Sequence, residues 1–491
     1  MIQPIFANTL GNNPQWLDRL TEVAENASAW IWGLPLIITI SGIGILLSLI
    51  LRFRHLANLP KAIGSIFKKH DGHGEVSAAG SLCTALAATI GTGNIVGVAT
   101  AIGTGGPGAL LWMEIAAFFG MATKYAEGLL AVKYREVAAD GSVLGGPFYY
   151  IEHGLGRNWR FLAIAFAIFG VLAGITGIGT ITQINGITSA VERFFEPNFD
   201  PTLAGAGVSI FNGRYSWSVV ISGIIVTLCA ACVIVGGIKR IAKVSTIVVP
   251  FMAAFYVIAC MALILGNLEK VPGAIATIVE AAFNPQAVTG GAIGSIFIAM
   301  QKGIARGIFS NEAGLGSAPI AAAAAKCSHP AQQGLICMTG TFFDTIIICS
   351  MTGLAIVISG AWMPELGLQG VNITIEAFSS GLSFLPYHEQ ISSLALMLSL
   401  SFFAFTSILG WSYYSEKCLE YLTARRSRAA IQIFRIAYST VIFIGPYLTV
   451  SAVWCIADIF NGLMAIPNLI ALILLSPVVA TCSREYFSRK P

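Results

Sequence analysis

Long stretches without a charged residue constrain the fold of this chain more than any other feature. Residues 30–51, 161–191, 244–268, 436–457 and 459–483 contain no Asp, Glu, Lys or Arg, and each exceeds the roughly 18 residues that indicate a membrane-spanning helix. Only 11% of the 491 residues are charged, against about 25% in soluble proteins. A transmembrane β-barrel would show short alternating segments instead. The sequence therefore predicts an all-α integral membrane protein.

Eleven membrane spans are predicted within a single transport domain, 1–491. Residues 1–29 form a periplasmic lead-in, because their acidic and basic residues do not fit a cleaved signal peptide. The first span is an extra helix at 30–51, and two five-helix repeats follow at 82–266 and 292–478, with a cytoplasmic tail at 479–491. The spans lie near 30–51, 82–103, 107–131, 161–190, 216–236, 244–266, 292–318, 335–360, 390–415, 431–450 and 452–478.

The distribution of positive charge predicts the orientation. Of the 28 Lys and Arg residues, 20 fall in the loops and tail on one side of this topology and four on the other, so the basic side is cytoplasmic. The N-terminus is then outside and the C-terminus inside, in a bacterial-type inner membrane. The second and seventh spans cross in opposite directions, as an inverted five-plus-five repeat requires. Asn94, Gly97 and Ala101 of the second span recur as Asn311, Gly314 and Ala318 of the seventh.

The second and seventh spans are both predicted to be broken helices. The second contains IGTGN at 90–94 and the seventh contains SNEAGLG at 310–316, and each Gly inside a helix costs about 1 kcal/mol relative to Ala. Unwound backbone at membrane depth is tolerated where it lines a cavity or is buried in protein, and its free carbonyls can bind a cation. The alternative is that these glycines allow close helix packing, with Lys302, Arg306 and Glu312 as a structural ion network.

An enzymatic function is not predicted. The chain contains no P-loop and no H-E-x-x-H motif, and the glycines at 91–97 follow no predicted strand, which excludes a dinucleotide fingerprint. We expect no nucleic acid, no obligate protein partner and no metal other than sodium.

Four ordered motifs resemble those of the alanine or glycine:cation symporters, also called the sodium:alanine symporters. They are TALAATIGTGN at 84–94, GGPGALLWM at 105–113, GGPFYY at 145–150 and RGIFSNEAGLGS at 306–317. The resemblance covers nearly the whole chain. The family commonly has an aromatic residue where this chain has Leu111, and Trp where it has Glu114.

The resemblance implies a leucine-transporter-type fold and sodium-coupled uptake of alanine or glycine by alternating access. Sodium is then a co-transported ion and a small amino acid is the substrate. The residues implied to bind substrate are Thr92, Gly93, Asn94, Gln183, Phe309, Ser310, Asn311 and Trp411. Those implied to bind sodium are Gly91, Thr406 and Ser407, and Lys302, Arg306 and Glu312 are structural or gating residues.

Several alternatives remain open from the sequence. Gln183 can instead have a purely structural hydrogen-bond partner in the helix bundle, Trp411 can be an interfacial or packing residue, and the hydroxyls of Thr406 and Ser407 can bond to their own helix. Asp344 is expected to pair with a buried base, outside the site. Rival functions are a proton-coupled symporter, with Glu312, Glu114 or Asp344 as the proton carrier, and an amino-acid sensor or channel. Substrate preference, chirality tolerance, stoichiometry and oligomeric state are not predicted.

Overall fold

A computed structural model describes residues 15–138, 141–203, 207–210, 213–284, 296–424, 427–448 and 451–488. Helices dominate these residues, and each strand pair is a short antiparallel hairpin. The hairpins pair Glu136–Val137 with Val143–Leu144, and Val208–Ile210 with Gly213–Tyr215.

The α-helices include one segment for every predicted span, together with short connecting helices. They are Gln15–Ile31, Leu34–Ile50, Arg54–Ala57, Leu59–Ser65, Ala78–Thr89, Val98–Gly105, Gly108–Lys133, Pro147–Tyr149, Arg160–Thr176, Ile181–Phe195, Trp217–Ile234, Gly237–Gly266, Val271–Phe283, Ile296–Asn311, Ala318–Ala323, Pro330–Thr341, Ser350–Ser359, Val371–Gly381, His388–Leu422, Arg428–Ile444, Ser451–Leu474 and Ser476–Ser488. The π-helical segments are Gly93–Gly97, Tyr150–Gly154 and Phe342–Cys349, and the 3₁₀ turns are Arg157–Trp159, Leu268–Lys270, Pro364–Leu366 and Gly445–Tyr447.

Among the described residues, nine helices are long and apolar enough to cross a membrane. A tenth span is added if Ala78–Thr89 and Gly93–Gly105, which meet at a 53° bend, are one broken helix. The predicted count of eleven is not confirmed. The predicted seventh span is not among the counted helices, because its described halves, Ile296–Asn311 and Ala318–Ala323, contain only 16 and 6 residues. The division into a lead-in, an extra helix and two repeats stays a prediction.

The predicted fourth span contains a break that the sequence analysis did not foresee. We expected one continuous helix over 161–190, but Arg160–Thr176 ends before residues 177–180 and Ile181–Phe195 begins after them. Glycines at 174, 177 and 179 weaken the helix here. Thr180 donates to the carbonyl of Ile175 at 2.9 Å, so a side chain replaces part of the missing helical ladder.

Helix Gly108–Lys133 lies at the centre of the packing. It contacts Pro330–Thr341, Ile296–Asn311 and Ala318–Ala323, and most of its side chains are buried inside the protein. Helix His388–Leu422 contacts Ala78–Thr89 and both halves of the broken fourth span. These two long helices therefore hold all three breaks in one region.

Candidate functional site

The first broken helix loses its backbone ladder at residues 90–92. Ile90 still donates to the carbonyl of Leu86 at 2.8 Å, but its ψ of 99° turns the chain out of the helix. The Asn94 side chain then accepts from the Gly91 N–H at 2.9 Å. An amide side chain thus satisfies a buried backbone donor that the helix no longer serves.

The second broken helix unwinds over residues 312–317, and its backbone is left-handed at three positions. Glu312, Gly314 and Gly316 have φ values of 56°, 90° and 81°. Glycine adopts this region freely, whereas a glutamate there is strained unless its surroundings hold it. The Asn311 side chain accepts from the Ala313 N–H at 2.9 Å, which repeats the local bond that Asn94 makes at the first break.

The two breaks lie against each other. A Cβ built on Gly93 would lie 3.5 Å from both Phe309 Cδ1 and Ser310 Cα. A side-chain methyl at this position would therefore be in ordinary van der Waals contact with the second broken helix, so the two breaks are neighbours.

Asp344 joins the two breaks, and its hydrogen-bond partners are neutral donors rather than the predicted buried base. It was predicted to lie outside the site, but it contacts Asn94 and Ser310, which are two of the predicted substrate-binding residues. Its Oδ1 accepts from Asn94 Nδ2 at 2.8 Å, and its Oδ2 accepts from Ser310 at 2.9 Å and from Thr345 at 2.8 Å. Asn311 Nδ2 donates to the Thr345 hydroxyl at 3.1 Å. The π-helical turn Phe342–Cys349 places this carboxyl where neutral donors from both broken helices reach it.

Of the two hydroxyls predicted to bind sodium, the structure brings Ser407 to the first break. Ser407 Oγ lies 3.3 Å from the Ile90 carbonyl and 3.1 Å from the Phe403 carbonyl of its own helix. Thr406 Oγ1 instead lies 3.0 Å from the Phe403 carbonyl and 3.4 Å from Met252 Sδ. The recorded hydrogen bonds of Thr406 therefore do not include an atom of the break.

Gln183 faces the same break from the other side. Its Nε2 donates to the Ile178 carbonyl at 3.0 Å, whereas its Oε1 is buried with no hydrogen-bond partner. A Cβ on Gly91 would lie 3.4 Å from Gln183 Oε1 and 2.6 Å from Ser407 Oγ. The unpaired amide oxygen of Gln183 and the hydroxyl of Ser407 thus both lie beside the space that a side chain at Gly91 would fill.

The remaining predicted residues lie at different distances from this centre. Thr92 is buried, and its Cγ2 would lie 2.8 Å from a Cβ on Gly186, so Thr92 packs on the helix that carries Gln183. Trp411 is buried and donates from Nε1 to Glu312 Oε1 at 3.0 Å. Trp411 therefore fixes the second break.

Among the described residues, Lys302, Arg306 and Glu312 are not joined by a salt bridge, and their predicted structural or gating roles stay predictions. Glu312 bonds to Trp411 and accepts from Ser317. Arg306 lies 5.7 Å from the centre of the Phe309 ring. The Lys302 Cβ would lie 3.1 Å from a Cβ on Gly105. Glu312 and the two bases therefore have separate surroundings.

A second set of polar residues holds the unwound segment, and the sequence analysis missed it. Asn468 Nδ2 donates to Glu127 Oε1 at 2.7 Å and to the Gly314 carbonyl at 2.9 Å, and Tyr150 donates to Asn468 Oδ1. Glu127 Oε1 also accepts from the Gly316 N–H at 3.2 Å. The available signal was a set of polar residues inside apolar helices, but their spacing does not show which segment they hold.

A small cavity adjoins the second break. Its polar lining comes from Ser81, Thr89, Lys124 and Asn311, and its volume is about 10 Å³, which suits a single water molecule. The breaks are therefore closely packed on this side.

The chain matches the sodium:alanine symporter family over residues 17–491. An uncharacterized transporter of Haemophilus influenzae is 51% identical over 96% of this chain and 97% of its own length. The sodium/alanine symporter AgcS of Methanococcus maripaludis is 44% identical over 94% and 96%. A putative sodium/proton-dependent alanine carrier protein of Bacillus subtilis, YrbD, is 33% identical over 96% and 93%.

Among solved structures, MhsT in complex with L-phenylalanine superposes with a TM-score of 0.56 at 14% identity, over 84% of this chain and 98% of that one. This likeness supports the predicted leucine-transporter-type, all-helical membrane fold. Together with the broken helices and the family match across 17–491, it shows that the chain belongs to the sodium:alanine symporter family and is a membrane transporter, not an enzyme.

Proposed function

We propose that this protein is a sodium-coupled symporter that imports small neutral amino acids, alanine or glycine, across the inner membrane by alternating access. The observation that carries the proposal is the crowding at Gly91, where a Cβ would lie 2.6 Å from Ser407 Oγ and 3.4 Å from the unpaired Gln183 Oε1. The unwound turn at Gly91 thus lies beside two oxygens. The Ser407 hydroxyl is suited to a cation, and the Gln183 amide oxygen is suited to accept from an ammonium group.

Sodium is proposed to bind between Ser407 and the first break. The Ser407 hydroxyl and the Ile90 carbonyl are 3.3 Å apart, and both are hard oxygen donors of the kind that replace the hydration shell of an alkali cation. In transporters with discontinuous helices, unwound carbonyls coordinate the coupling ion. Gly91, Thr406 and Ser407 stay the predicted sodium-binding residues.

The amino acid is proposed to bind where the two breaks meet. The half-helix Gly93–Gly105 presents its N-terminal N–H groups and positive dipole end to a carboxylate. The unpaired Gln183 Oε1 accepts a hydrogen bond from the ammonium group, which satisfies a buried oxygen that otherwise carries a desolvation cost. The close approach of the two breaks at Gly93, Phe309 and Ser310 supports a small rather than a large substrate side chain.

Coupling follows from the shared position of the two sites. Both involve residues 90–94, so an ion that orders this turn favours the arrangement that the amino acid also prefers. The charge distribution of the loops supports an outside N-terminus and a cytoplasmic C-terminus.

Uptake of labelled alanine into proteoliposomes, with and without an inward sodium gradient, tests the proposal. We expect accumulation with the gradient only. Equal uptake in both conditions would refute sodium coupling, and a failure to accumulate above equilibrium would favour a channel or sensor. Competition by glycine, serine and phenylalanine then ranks the substrates.

A matched pair of variants on helix His388–Leu422 tests the ion site. Ser407→Ala removes the hydroxyl at the break, whereas Ser412→Ala removes a buried hydroxyl that donates to its own helix at Leu409. We expect Ser407→Ala to raise the half-saturating sodium concentration about tenfold, equivalent to about 1.4 kcal/mol. Ser412→Ala should stay within about twofold of the wild type.

A further inference from the structure

Glu114 is a buried carboxyl that the proposed sodium and amino-acid sites do not use. It lies on helix Gly108–Lys133, six residues or about 9 Å from the helix start. Both of its carboxyl oxygens are buried, and neither has a hydrogen-bond partner among the described residues. Buried ionisable groups inside a membrane helix are costly and commonly serve a transport function.

The groups around Glu114 include no base that pairs with it. The Ser350 hydroxyl lies near its carboxyl group as a possible donor and the Asp344 carboxylate repels it, although neither forms a hydrogen bond of good geometry with it. Ionisable residues on helices that pack against Gly108–Lys133 include Glu280, Lys302, Arg306, Cys337, Asp344, Cys349 and Asp458, and Asp458 interacts with Arg306.

Neither nearby base neutralises Glu114 directly. Arg306 lies over the Phe309 ring and Lys302 interacts with Arg306, and the recorded salt bridges of the described residues do not include Glu114. Lys124 is ten residues further along the same helix, about 15 Å away along its axis. Cys349 adds only a further acidic group near Glu114.

Among the described residues, an ionised Glu114 would therefore be a buried carboxylate without a paired cation and with only the poorly aligned Ser350 hydroxyl as a donor. The cost of burying such an anion is so large that the group takes up a proton instead. Asp344, its acidic neighbour, has the opposite surroundings, because three donors point at its two oxygens and stabilise the anion. Lys124 also attracts the Asp344 carboxylate. Of two interacting carboxyls, the one with the fewer and weaker partners is the one that carries the proton.

Asp344 links this proton to the substrate site. It accepts from Asn94 of the first broken helix and from Ser310 of the second. A negative charge on Glu114 would repel the Asp344 carboxylate and weaken the bridge between the breaks. The helix that carries Glu114 also touches the second broken helix directly, since a Cβ on Gly307 would lie 2.9 Å from Met113 Cγ.

We propose that Glu114 is a proton-binding site of this transporter, and that its proton is bound together with the amino acid through the bridge at Asp344. On binding, a hydronium ion of the outer solution loses a proton, and an O–H bond forms on the Glu114 carboxylate. On release, that bond breaks and the proton passes to water on the inner side. The inference rests on the proposed transport of an amino acid, but not on sodium as the driving ion.

Proton movement in proteoliposomes that contain a trapped pH indicator tests the site. We expect alanine added outside to acidify the lumen of wild-type proteoliposomes. Glu114→Gln, which keeps the shape of the neutral acid, should abolish this signal. Glu376→Gln is the control, because Glu376 is an exposed acid on helix Val371–Gly381, and it should keep the full signal.

The pH dependence of alanine binding gives a second readout, which needs no variant. One proton bound with each substrate makes the apparent wild-type affinity fall about tenfold per pH unit on the alkaline limb. Glu114→Gln should flatten that dependence. A wild-type protein with no alanine-dependent proton movement and a flat pH profile overturns the proposal, as does a full proton signal in a folded Glu114→Gln.

The outcomes also separate this proposal from sodium symport. Alanine uptake that ignores the sodium gradient but still carries protons refutes sodium coupling and supports the Glu114 site. Sodium-driven uptake without proton movement supports sodium coupling and refutes the Glu114 site. A change in sodium stoichiometry in Glu114→Gln, without a proton signal in the wild type, assigns the site to sodium and overturns the proton proposal.

Discussion

Asn94 is the residue whose removal should disturb the transport site most directly. Its side chain is fully buried, its Oδ1 accepts from the Gly91 N–H at 2.9 Å, and its Nδ2 donates to Asp344 Oδ1 at 2.8 Å and to the Asp344 carbonyl at 3.1 Å. Asn94→Ala removes all three bonds. It leaves one backbone donor and one carboxylate oxygen of the bridge without these partners.

The free-energy cost of Asn94→Ala follows from these lost bonds. A buried backbone donor without a partner costs about 1–3 kcal/mol, and a hydrogen bond to a charged group contributes about 1.5–3 kcal/mol. The arrangement in which Asn94, Gly91 and Asp344 meet should therefore be destabilised by about 2.5–6 kcal/mol. That range corresponds to a loss of roughly 100-fold or more in the population competent to bind substrate.

Initial rates of sodium-driven alanine uptake in proteoliposomes measure this loss. Asn267→Ala is the control, because Asn267 Nδ2 donates to the carbonyls of Leu263 and Gly381 at 3.0 and 2.7 Å, away from the breaks. We expect Asn94→Ala to transport at most about 1% of the wild-type rate, and Asn267→Ala to stay within about threefold. Monodisperse elution of both proteins in detergent shows that they are folded.

A double-mutant cycle with Asp344→Ala identifies the bond responsible. Because Asn94 and Asp344 are hydrogen-bonded, their effects should be non-additive by about 1.5–3 kcal/mol. An Asn94→Ala protein that transports within fivefold of the wild type, or fully additive effects in the cycle, would refute the role of this bridge.

Three further substitutions probe the first break, the second break and the cytoplasmic side. Gly91→Ala should abolish sodium-driven uptake, because its Cβ would lie 2.6 Å from the proposed sodium-binding hydroxyl, whereas Gly42→Ala, with open space around its Cβ, should transport normally. Trp411→Phe removes the indole donor of the buried carboxylate at the second break, so thermal stability in detergent should fall by about 1–3 kcal/mol; Trp112→Phe, which loses a half-buried bond to a carbonyl, should change it less. Burial lowers the pKa of His55, in the short helix Arg54–Ala57, from 6.5 to about 4, so the free energy that neutral His55 contributes to folding is complete above pH 6.5 and is lost as the pH falls towards 4, by up to about 3 kcal/mol. His55→Phe should therefore lose less stability than the wild type between pH 7.5 and 5.5, and equal losses in unfolding scans would contradict this.

The sequence predicted the elements of the site better than their connections. Polar and glycine residues at 90–94 and 310–316 indicated two breaks, and both are present. The resemblance to the family pointed to Gln183 and Ser407, and the structure places both at Gly91. The sequence could indicate these residues because each is polar and lies inside an apolar segment, where a polar side chain needs a partner.

The partners themselves could not be read from the sequence. Asp344 seemed to require a base, but hydroxyl and amide donors from two distant helices satisfy it instead. Glu127 and Asn468 are 341 positions apart, and no local pattern connects them. The break at 177–180 had a local signal in its glycines, which the long apolar run obscured. The role of Thr406 stays a prediction.

The neutral character of the donors at Asp344 has a consequence for alternating access. If a base held this carboxylate, separating the pair would cost about 3–5 kcal/mol for a buried ion pair. Amide and hydroxyl bonds contribute about 1.5–3 kcal/mol each, and water or a substrate amine can replace them one at a time as the broken helices separate. Each step then lies within the differential affinity of one ion or one small ligand, which is typically 1–3 kcal/mol. A bridge made of neutral donors is therefore strong enough to hold the two breaks together and weak enough for the proposed sodium ion and amino acid to shift.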